Sequence, residues 1–593
     1  MTVLLAPAPL LDERTGIPTG LQSARALRAR RALVLALNLG TYAALAALLA
    51  RVLGAGGWTA ADIGLFGAFL VGAPWTILTF WNAMLGLWLL HGARDGLERA
   101  APFAAAGDSA EPVRLSTAVV MTLRNEDPDR ALARLGIVKE SLDRTGFGGR
   151  FAYFVLSDTS DPTIAVAEER AVEAWWREAG EQEALVYRRR VDNAGFKAGN
   201  LRDFCERWGK DYDLMLPLDA DSLMAGGTIV RMVRMMQAHP RIGILQSLVV
   251  GLPSKSAFAR LFQFGMRHGM RPHTVGAAWW TADCGPYWGH NALVRIPPFR
   301  EACALPVLPG ASPLCGHILS HDQVEAVLMR RAGYEVRVLP VEGGSWEENP
   351  PSLPAFVRRD ARWCQGNMQY WRLLAMPGLR LISRYQLAWA ILMFLGVFAW
   401  TAMIALVPLK ALDGENPAAF PGKLAIGVYL AFQFMYLAPR LAGLADIVLT
   451  KGGIARYGGA LRFWCGATLE IVFSYLLGAV VTLRTSAFML GLVYGRSVPW
   501  SGQERGVAAI SWRDAARGLW WVSLFGIAVA GVLGTVRPVV LWWAMPLITG
   551  YLAAIPFAVA SAAPRLGAFF ARCGLNGVPE DFAPPPEIRE LNG

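Results

Sequence analysis

The sequence predicts an α/β domain inserted between two groups of transmembrane helices. Hydrophobic residues fill 54% of the 593 positions and charged residues only 17%, a balance that soluble proteins rarely reach. Long, nearly charge-free segments occur near both ends of the chain. Between them, residues 91–384 carry most of the acids, short strand-like runs and amphipathic helices, which are typical of a globular α/β domain.

The N-terminal part predicts two transmembrane helices within residues 32–90, preceded by a cytoplasmic segment, 1–31. Segments 32–53 and 63–90 are each long enough to cross a bilayer at ~1.5 Å per residue. Four arginines lie just before the first segment and two follow the second, whereas the far end of the first segment and the link after it hold only Arg51. By the positive-inside rule, the α/β domain is expected in the cytoplasm. No signal peptide is recognised at the start.

The C-terminal part predicts a transmembrane bundle over residues 385–563 and a cytoplasmic tail, 564–593. Glu470 and Arg484 argue against a plain span at 466–495. A hairpin there, or an amphipathic segment in the membrane interface, would keep the arginine-rich stretch that follows in the cytoplasm. The apolar segments of this group are 385–409, 424–446, 466–484, 519–536 and 539–560.

Charge and cysteine content exclude several other functions. The net charge of +11 comes mainly from arginines in loops beside lipid headgroups. No basic strip with interleaved aromatics is present, so nucleic acid is not an expected partner. The seven cysteines form no CxxC pair, which argues against a zinc site or a disulfide framework.

Strand-like runs in the central region lead into polar loops. They alternate with helical segments, which predicts a largely parallel sheet. Ligands bind beyond the carboxyl ends of strands in such sheets, so Glu126, Asp158 and Asp219 should share one edge. The four runs are 115–123, 151–158, 184–190 and 212–219.

The motif "DAD" places Asp219 and Asp221 one residue apart at a strand end. Two such carboxylates can hold Mg²⁺ or Mn²⁺ against a diphosphate. The alternative is an ordinary turn, where Asp is also frequent. Lys197, in "GFKAGN" before a helix, is placed to meet an anionic ligand.

Two later motifs also have alternatives. Asp322, in "SHD", stands at the start of a predicted helix, where an acid can simply stabilise the first turn. Trp363 in "RRDARW" could be a core aromatic, and Arg362 a surface charge.

Taken together and in order, these residues resemble the membrane-embedded processive glycosyltransferases with a GT-A fold, the class of cellulose, chitin and hyaluronan synthases. The resemblance implies that Asp158 contacts uridine diphosphate, that Asp219 and Asp221 bind the metal, and that Asp322 is the catalytic base of an inverting transfer. It further implies donor contacts from Glu126, Lys197, Asp219, Arg359, Arg362 and Arg505, and acceptor contacts from Trp363, Trp288 and His290.

Several motifs resemble one branch more closely, the glucosyltransferases of osmoregulated periplasmic glucan synthesis. They include "VLSDTSDP", "GFKAGNLRDFCERWG", "YWGHNALVR" and "RRDARWCQGN". This resemblance implies UDP-glucose as donor, a growing β-1,2-glucan chain as product, export to the periplasm and a place in the bacterial inner membrane. Acyl carrier protein and periplasmic glucan-modifying proteins are candidate partners under it. The wider class has Glu where this chain has His321.

Residues 494–506 resemble a gating loop, with Trp500, Gln503 and Arg505 facing the donor. The alternative is a basic juxtamembrane loop anchored by Trp. Five aromatics are further candidates to stack on sugar rings along the acceptor path: Trp279, Trp280, Tyr287, Trp288 and Trp363.

Two other functions remain open at this point. One is a synthase of another β-linked polysaccharide, of the cellulose, chitin or hyaluronan type, or a dolichyl-type sugar transferase. The other is a transporter with a cytosolic regulatory domain, for which the ordered set of acids would have no purpose.

Overall fold

The computed structural model describes residues 20–179, 185–413, 420–498 and 509–592. In this part of the chain a seven-stranded sheet forms the centre of the α/β domain, in the order β3-β2-β1-β4-β8-β6-β9. Its strands are β1 Thr117–Leu123, β2 Phe151–Ser157, β3 Val186–Arg189, β4 Leu214–Asp219, β6 Ile242–Ser247, β8 Ala292–Arg295 and β9 Glu335–Leu339.

The sheet is mostly parallel, as the sequence predicts. Only β8 runs antiparallel to its neighbours, β4 and β6, and the four predicted strands agree with the observed ones to within two residues. A second sheet of three short strands lies beside the first, in the order β5-β10-β7. Its strands are β5 Leu223–Met224, β7 Val250–Gly251 and β10 Ser345–Glu347.

Helices cover both faces of the large sheet, which explains why β1 is apolar throughout. All seven residues of β1 are buried; Val119 and Met121 join one hydrophobic core, whereas Ala118 and Val120 join the other. This alternation follows the two-residue period of a strand. The helices of this region are α3 Gly96–Ala100, α4 Pro128–Asp143, α5 Pro162–Ala179, α6 Phe196–Arg207, α7 Gly226–Ala238, α8 Ala257–Thr281, α9 Ile296–Ala302, α10 Asp322–Arg331 and α11 Leu353–Met368.

Among the described residues, six helices are long and apolar enough to cross a membrane, and a bent pair, α17 and α18, could supply a seventh span. They flank the α/β domain in two groups, so the predicted fold class is confirmed. The helices of the two groups are α1 Ala24–Leu53, α2 Ala60–His91, α12 Leu381–Leu412, α13 Gly422–Leu449, α14 Gly453–Arg456, α15 Ala460–Val493, α16 Trp512–Val536, α17 Pro538–Leu552 and α18 Ala554–Ser561; all of these except the short α14 are candidate spans or members of the bent pair.

The ambiguous segment 466–495 is not a hairpin, because α15 is one continuous helix. The charges that argued against a span have partners inside the protein. Glu470 is buried and accepts a hydrogen bond from Arg440 at 3.0 Å, and Arg484 donates to the carbonyl of Gly518 at 2.8 Å. Polar side chains satisfied by neighbouring helices do not break the helix that carries them.

Both ends of α15 lie against the α/β domain or its C-terminal extension. Near the start, Phe463 packs on Phe264 of α8. Near the end, Thr485 donates a hydrogen bond to Asp360 of α11 at 2.8 Å, and the amide of Val498 donates to Gln365 at 3.0 Å. The helix therefore begins and ends on the side where the domain lies.

The α/β domain meets the membrane helices through close backbone packing between α2 and α8. A Cβ atom on Gly86 would lie 1.7 Å from the carbonyl oxygen of Pro272, and one on Gly276 would lie 1.9 Å from that of Asn82. Only glycine fits at such an approach. The contact fixes the domain on the helix bundle.

The C-terminal segment docks on the α/β domain. Arg260 of α8 is buried and pairs with Asp581 at 2.7 Å, Ser141 of α4 donates to Glu587 at 2.5 Å, and Ile588 is buried in a domain core. The segment is thus part of the domain surface. Its helices are α19 Pro564–Cys573, α20 Pro579–Phe582 and α21 Pro586–Asn592.

Candidate active site

A cavity of about 200 Å³ opens where β1, β2 and β4 end, opposite α10 and α11. Every residue predicted to act as base, metal ligand or donor contact lines it except Arg505, which lies outside the described residues, and so do three predicted acceptor contacts. The predicted acids on its wall are Glu126, Asp158, Asp219, Asp221 and Asp322. The other predicted residues on its wall are Lys197, Trp288, His290, Arg359, Arg362 and Trp363.

Asp158 directly follows β2 and is held by an arginine that the sequence reasoning missed. Arg190, just after β3, donates to both carboxylate oxygens of Asp158, at 2.8 and 2.7 Å. Such a bidentate pair fixes the orientation of a carboxylate as well as its charge. The basic run "YRRR" at the end of the third strand was the available signal.

Arg124, the residue after β1, is a second arginine that sequence reasoning missed. It borders the cavity, and its guanidinium lies 5.4 Å from the centre of the Phe196 ring. Burial lowers its pKa, an effect that the nearby Asp158 carboxylate opposes. The arginine thus adds positive charge beside Asp158.

Asp219 ends β4, and a tight turn presents Asp221 next to it. The amide of Asp219 donates to the Ser222 hydroxyl at 3.1 Å, and the amide of Ser222 donates back to the Asp219 carbonyl at 2.9 Å. The Lys197 ammonium pairs with the Asp219 carboxylate. The turn and the ion pair together hold both carboxylates towards the cavity.

The chemistry of this pair suits a hard divalent cation. Within the described ranges, no three His, Cys, Asp or Glu side chains come close enough to hold an ion by themselves. Mg²⁺ is commonly bound by one or two carboxylates, with phosphate oxygens and waters completing its shell. Asp219 and Asp221 fit that partial donor set.

Glu347 is a further acid on the cavity wall, and the sequence reasoning missed it. It ends β10, and its carboxylate lies 3.4 Å from Nε2 of His290. Burial raises the pKa of Glu347; His290 opposes the shift, whereas Asp221 adds to it. The Ser222 hydroxyl lies 3.3 Å from Nδ1 of the same imidazole, so His290 links the acidic turn to Glu347.

Asp322 is the first residue of α10 and faces the cavity from the side opposite the strand ends. It lies in the first turn of a helix, where an acid can stabilise the helix, and it also lines the cavity. The preceding residue, His321, is the N-cap, although its side chain makes no capping hydrogen bond.

Helix α11 presents a stacked cation and aromatic ring. The guanidinium of Arg359 lies 4.7 Å from the centre of the Trp363 ring and 5.4 Å from that of Phe356. Trp363 is 49% exposed, so it is not a core aromatic. Cation–π stacking holds its ring at the cavity rim.

Three of the aromatics expected along the acceptor path are not on the cavity wall. Tyr287 is fully buried in a domain core, and Trp280 is buried with its indole N–H donating to Asn82 of α2 at 2.9 Å. Trp279 lies under Arg30 of α1, 5.1 Å from its guanidinium. The expectation was wrong for Trp279 and Trp280 because the end of α8 packs on the membrane helices, and for Tyr287 because its ring fills a core of the α/β domain.

The predicted gating loop is only partly described. Trp500, Gln503 and Arg505 lie outside the described residues. Val498, just before them, is hydrogen-bonded to Gln365 of α11, the helix that also carries Arg362 and Trp363. The role of the loop stays a prediction.

Comparison with known proteins decides the family. The model of glycosyl transferase family group 2 matches residues 214–438. Glucans biosynthesis glucosyltransferase H of Xanthomonas campestris pv. campestris (strain B100) is 34% identical over 551 residues, which cover 90% of this chain and 84% of that protein. The chain belongs to the glucans biosynthesis glucosyltransferase H family. The family resemblance stated from the sequence motifs is confirmed.

Other members of the family are longer. The Pseudomonas aeruginosa protein (strain UCBPP-PA14) is 35% identical over 544 residues, covering 89% of this chain but 63% of that protein, so the chain spans less than two thirds of its length. Among solved structures, a mannosyltransferase from Pyrobaculum calidifontis in complex with GDP-Man and Mn²⁺ has a TM-score of 0.40 and 16% identity, covering 64% of this chain and 98% of its own.

Proposed function

We propose that the protein is an inverting, processive glucosyltransferase that uses UDP-glucose to extend a β-1,2-linked glucan. The observation that carries this proposal is one cavity. It joins the acids at the ends of β2 and β4 to Asp322, Arg362 and Trp363 on α10 and α11. The family relation supports glucose and glucan as the sugar and the product.

The strand side of the cavity would bind the donor. Asp158, fixed by Arg190, would contact the nucleoside, and Asp219 with Asp221 would hold Mg²⁺ or Mn²⁺. That cation would neutralise charge on the leaving diphosphate. Arg362 adds a fixed positive charge across the cavity, and Lys197 adds another beside Asp219, so both would stabilise the developing negative charge.

The helix side of the cavity would carry out the transfer. Asp322 would accept the proton of the acceptor hydroxyl as that oxygen attacks the anomeric carbon. Attack from the face opposite the diphosphate converts an α-linked donor into a β-linked product. Trp363, exposed at the rim, would support the acceptor ring.

A second cavity supports export of the product. It has a volume of about 410 Å³, and its wall includes Phe262, Phe356, Arg440 and Ser474. The rings of Phe262 and Phe356 contact Arg359, which also borders the active-site cavity. A growing chain leaving past Trp363 and Arg359 would therefore meet this second cavity, which lies between α8, α11, α13 and α15.

Contacts with the α/β domain support six crossings of the membrane. Arg31 of α1 donates to domain carbonyls at Trp280 and Thr281, and Asp446 near the end of α13 pairs with Arg271. The chain therefore crosses the membrane and returns to the domain side through α1 and α2, and again through α12 and α13. Because α15 is one helix that begins and ends at the domain, it does not cross.

The remaining two crossings are α16 and the bent pair α17–α18, since the tail returns to the domain at Asp581. This assignment keeps Arg496, Arg513 and Arg517 on the domain side. Together with the positive-inside rule, it supports a cytoplasmic active site in a bacterial inner membrane.

The test is synthesis by the purified full-length protein in lipid vesicles. We expect radiolabelled UDP-glucose and Mg²⁺ to yield a polymer whose methylation analysis gives 2-linked glucose. Unlabelled UDP-N-acetylglucosamine and UDP-glucuronic acid serve as competitors. A 1,4-linked product or incorporation of another sugar would indicate a different synthase, and solute transport without donor turnover would indicate a transporter.

A further inference from the structure

An imidazole–carboxylate pair lies directly beside Asp322. His321 is 7% exposed and lines the cavity, and its Nδ1 lies 2.8 Å from Oε2 of Glu325, one turn further along α10. Glu325 is 1% exposed. A carboxylate this deeply buried is stable as an anion only with a cationic or hydrogen-bonding partner, and His321 is that partner.

The residues around this pair fix its position. The Tyr370 hydroxyl donates to the carbonyl of Ser320 at 2.7 Å, and the Gln323 side chain donates to the carbonyl of Tyr287 at 3.1 Å. On the cavity side, a Cβ on Gly289 would lie 3.5 Å from the His321 ring and 3.5 Å from Cβ of Asp322. The start of α10 is therefore enclosed on both sides.

Charged and titratable groups face the pair from four elements. Asp322 is adjacent in the chain, and Lys197 acts on both members from α6. The other groups near Glu325 are neutral: Tyr287, Tyr370, Cys303 and Cys205. Burial alone would lower the pKa of His321, but Glu325 and Asp322 outweigh it, and the pKa lies above its ordinary value.

We propose that His321, held by Glu325, is a positioning residue that fixes the first turn of α10 and so keeps Asp322 in place for proton abstraction. The inference depends on the proposed function, in which Asp322 is the base. The hydrogen bond between the two buried side chains ties the start of α10 to its next turn, and Asp322 lies in that first turn. His321 does not cap α10, so helix stability does not explain its place.

The test is kcat of chain growth, measured beside UDP affinity, for His321→Gln and Glu325→Gln. We expect kcat to fall roughly tenfold, less than the ~10²- to 10⁴-fold loss expected when the general base itself is removed. UDP affinity in the presence of Mn²⁺ should stay unchanged. Glu206→Gln, which breaks the exposed i,i+4 pair with Arg202 on α6, is the matched control.

Two results would overturn the inference. One is a wild-type kcat in His321→Gln. The other is a parallel loss of UDP binding and kcat, which would indicate a purely structural role. Normal chain growth by Asp322→Asn would instead contradict the proposed function itself, so the two failures are distinguishable.

Discussion

The two walls of the active-site cavity are built differently. On the strand wall, Asp158 and Asp219 follow or end buried strands and are held by Arg190 and Lys197. On the helix wall, Asp322 begins α10, and Arg362 and Trp363 belong to α11, which is hydrogen-bonded to α15. Donor binding is therefore expected to depend on the sheet, and chain growth on helices that continue into the membrane bundle.

The largest expected effect is on the helix wall, at Asp322. Asp322→Asn should lower kcat about 10²- to 10⁴-fold through loss of the general base, with UDP affinity unchanged in isothermal titration calorimetry. Asp129→Asn is the control, because Asp129 is also a first-turn acid but is exposed on α4. Equal losses in both variants would reduce Asp322 to a helix-stabilising residue.

The next effect concerns the strand wall. Asp221→Asn should weaken Mn²⁺-dependent UDP binding by roughly 100-fold, as expected for losing one charged contact to a bound metal. Binding without metal should change little. Asp211→Asn, an exposed acid before β4, provides the comparison, and an unaltered Mn²⁺ requirement in Asp221→Asn would argue against the metal site.

A smaller effect tests how the strand wall is held together. Arg190→Gln removes the bidentate partner of Asp158, which is only 3% exposed. We expect about tenfold weaker UDP binding, corresponding to ~1.4 kcal/mol, together with a lower Tm in a thermal shift assay. Unchanged UDP affinity would show that the Arg190 pair is not needed to place Asp158.

The smallest effect tests the aromatic rim. Trp363→Ala should raise the KM for an added oligosaccharide primer several-fold, since one aromatic contact is worth about 0.5–1.5 kcal/mol. Trp363→Phe retains a ring and should recover most of the loss. Identical primer kinetics in wild type and Trp363→Ala would remove the tryptophan from the acceptor path.

The strand wall was more predictable from sequence than the helix wall. Buried strands ending in acids give a clear pattern, and the rule that ligands bind at strand ends brings Asp158 and Asp219 together. The partners of these acids depend on tertiary contacts, which is why Arg190 and Glu347 were missed. The pairing of His321 with Glu325 likewise needs the helix register of α10.

Prediction from the sequence has the same limit in the membrane part. Apolar length correctly predicts the long helices, but it does not show which polar groups are satisfied by neighbours. Glu470 suggested a break in the segment that forms α15, yet Arg440 stabilises it within a continuous helix. Trp280 and Tyr287 suggested sugar contacts, yet they fill space between packed elements.

The most direct measurement is an experimental structure of the protein in a lipid nanodisc with UDP and Mn²⁺, determined by cryo-electron microscopy. We predict density for the cation between Asp219, Asp221 and the diphosphate, with uracil beside Asp158 and the Asp322 carboxylate facing the open side of the same cavity. UDP bound elsewhere, or Asp322 turned away from it, would contradict the joining of the two walls in one catalytic site.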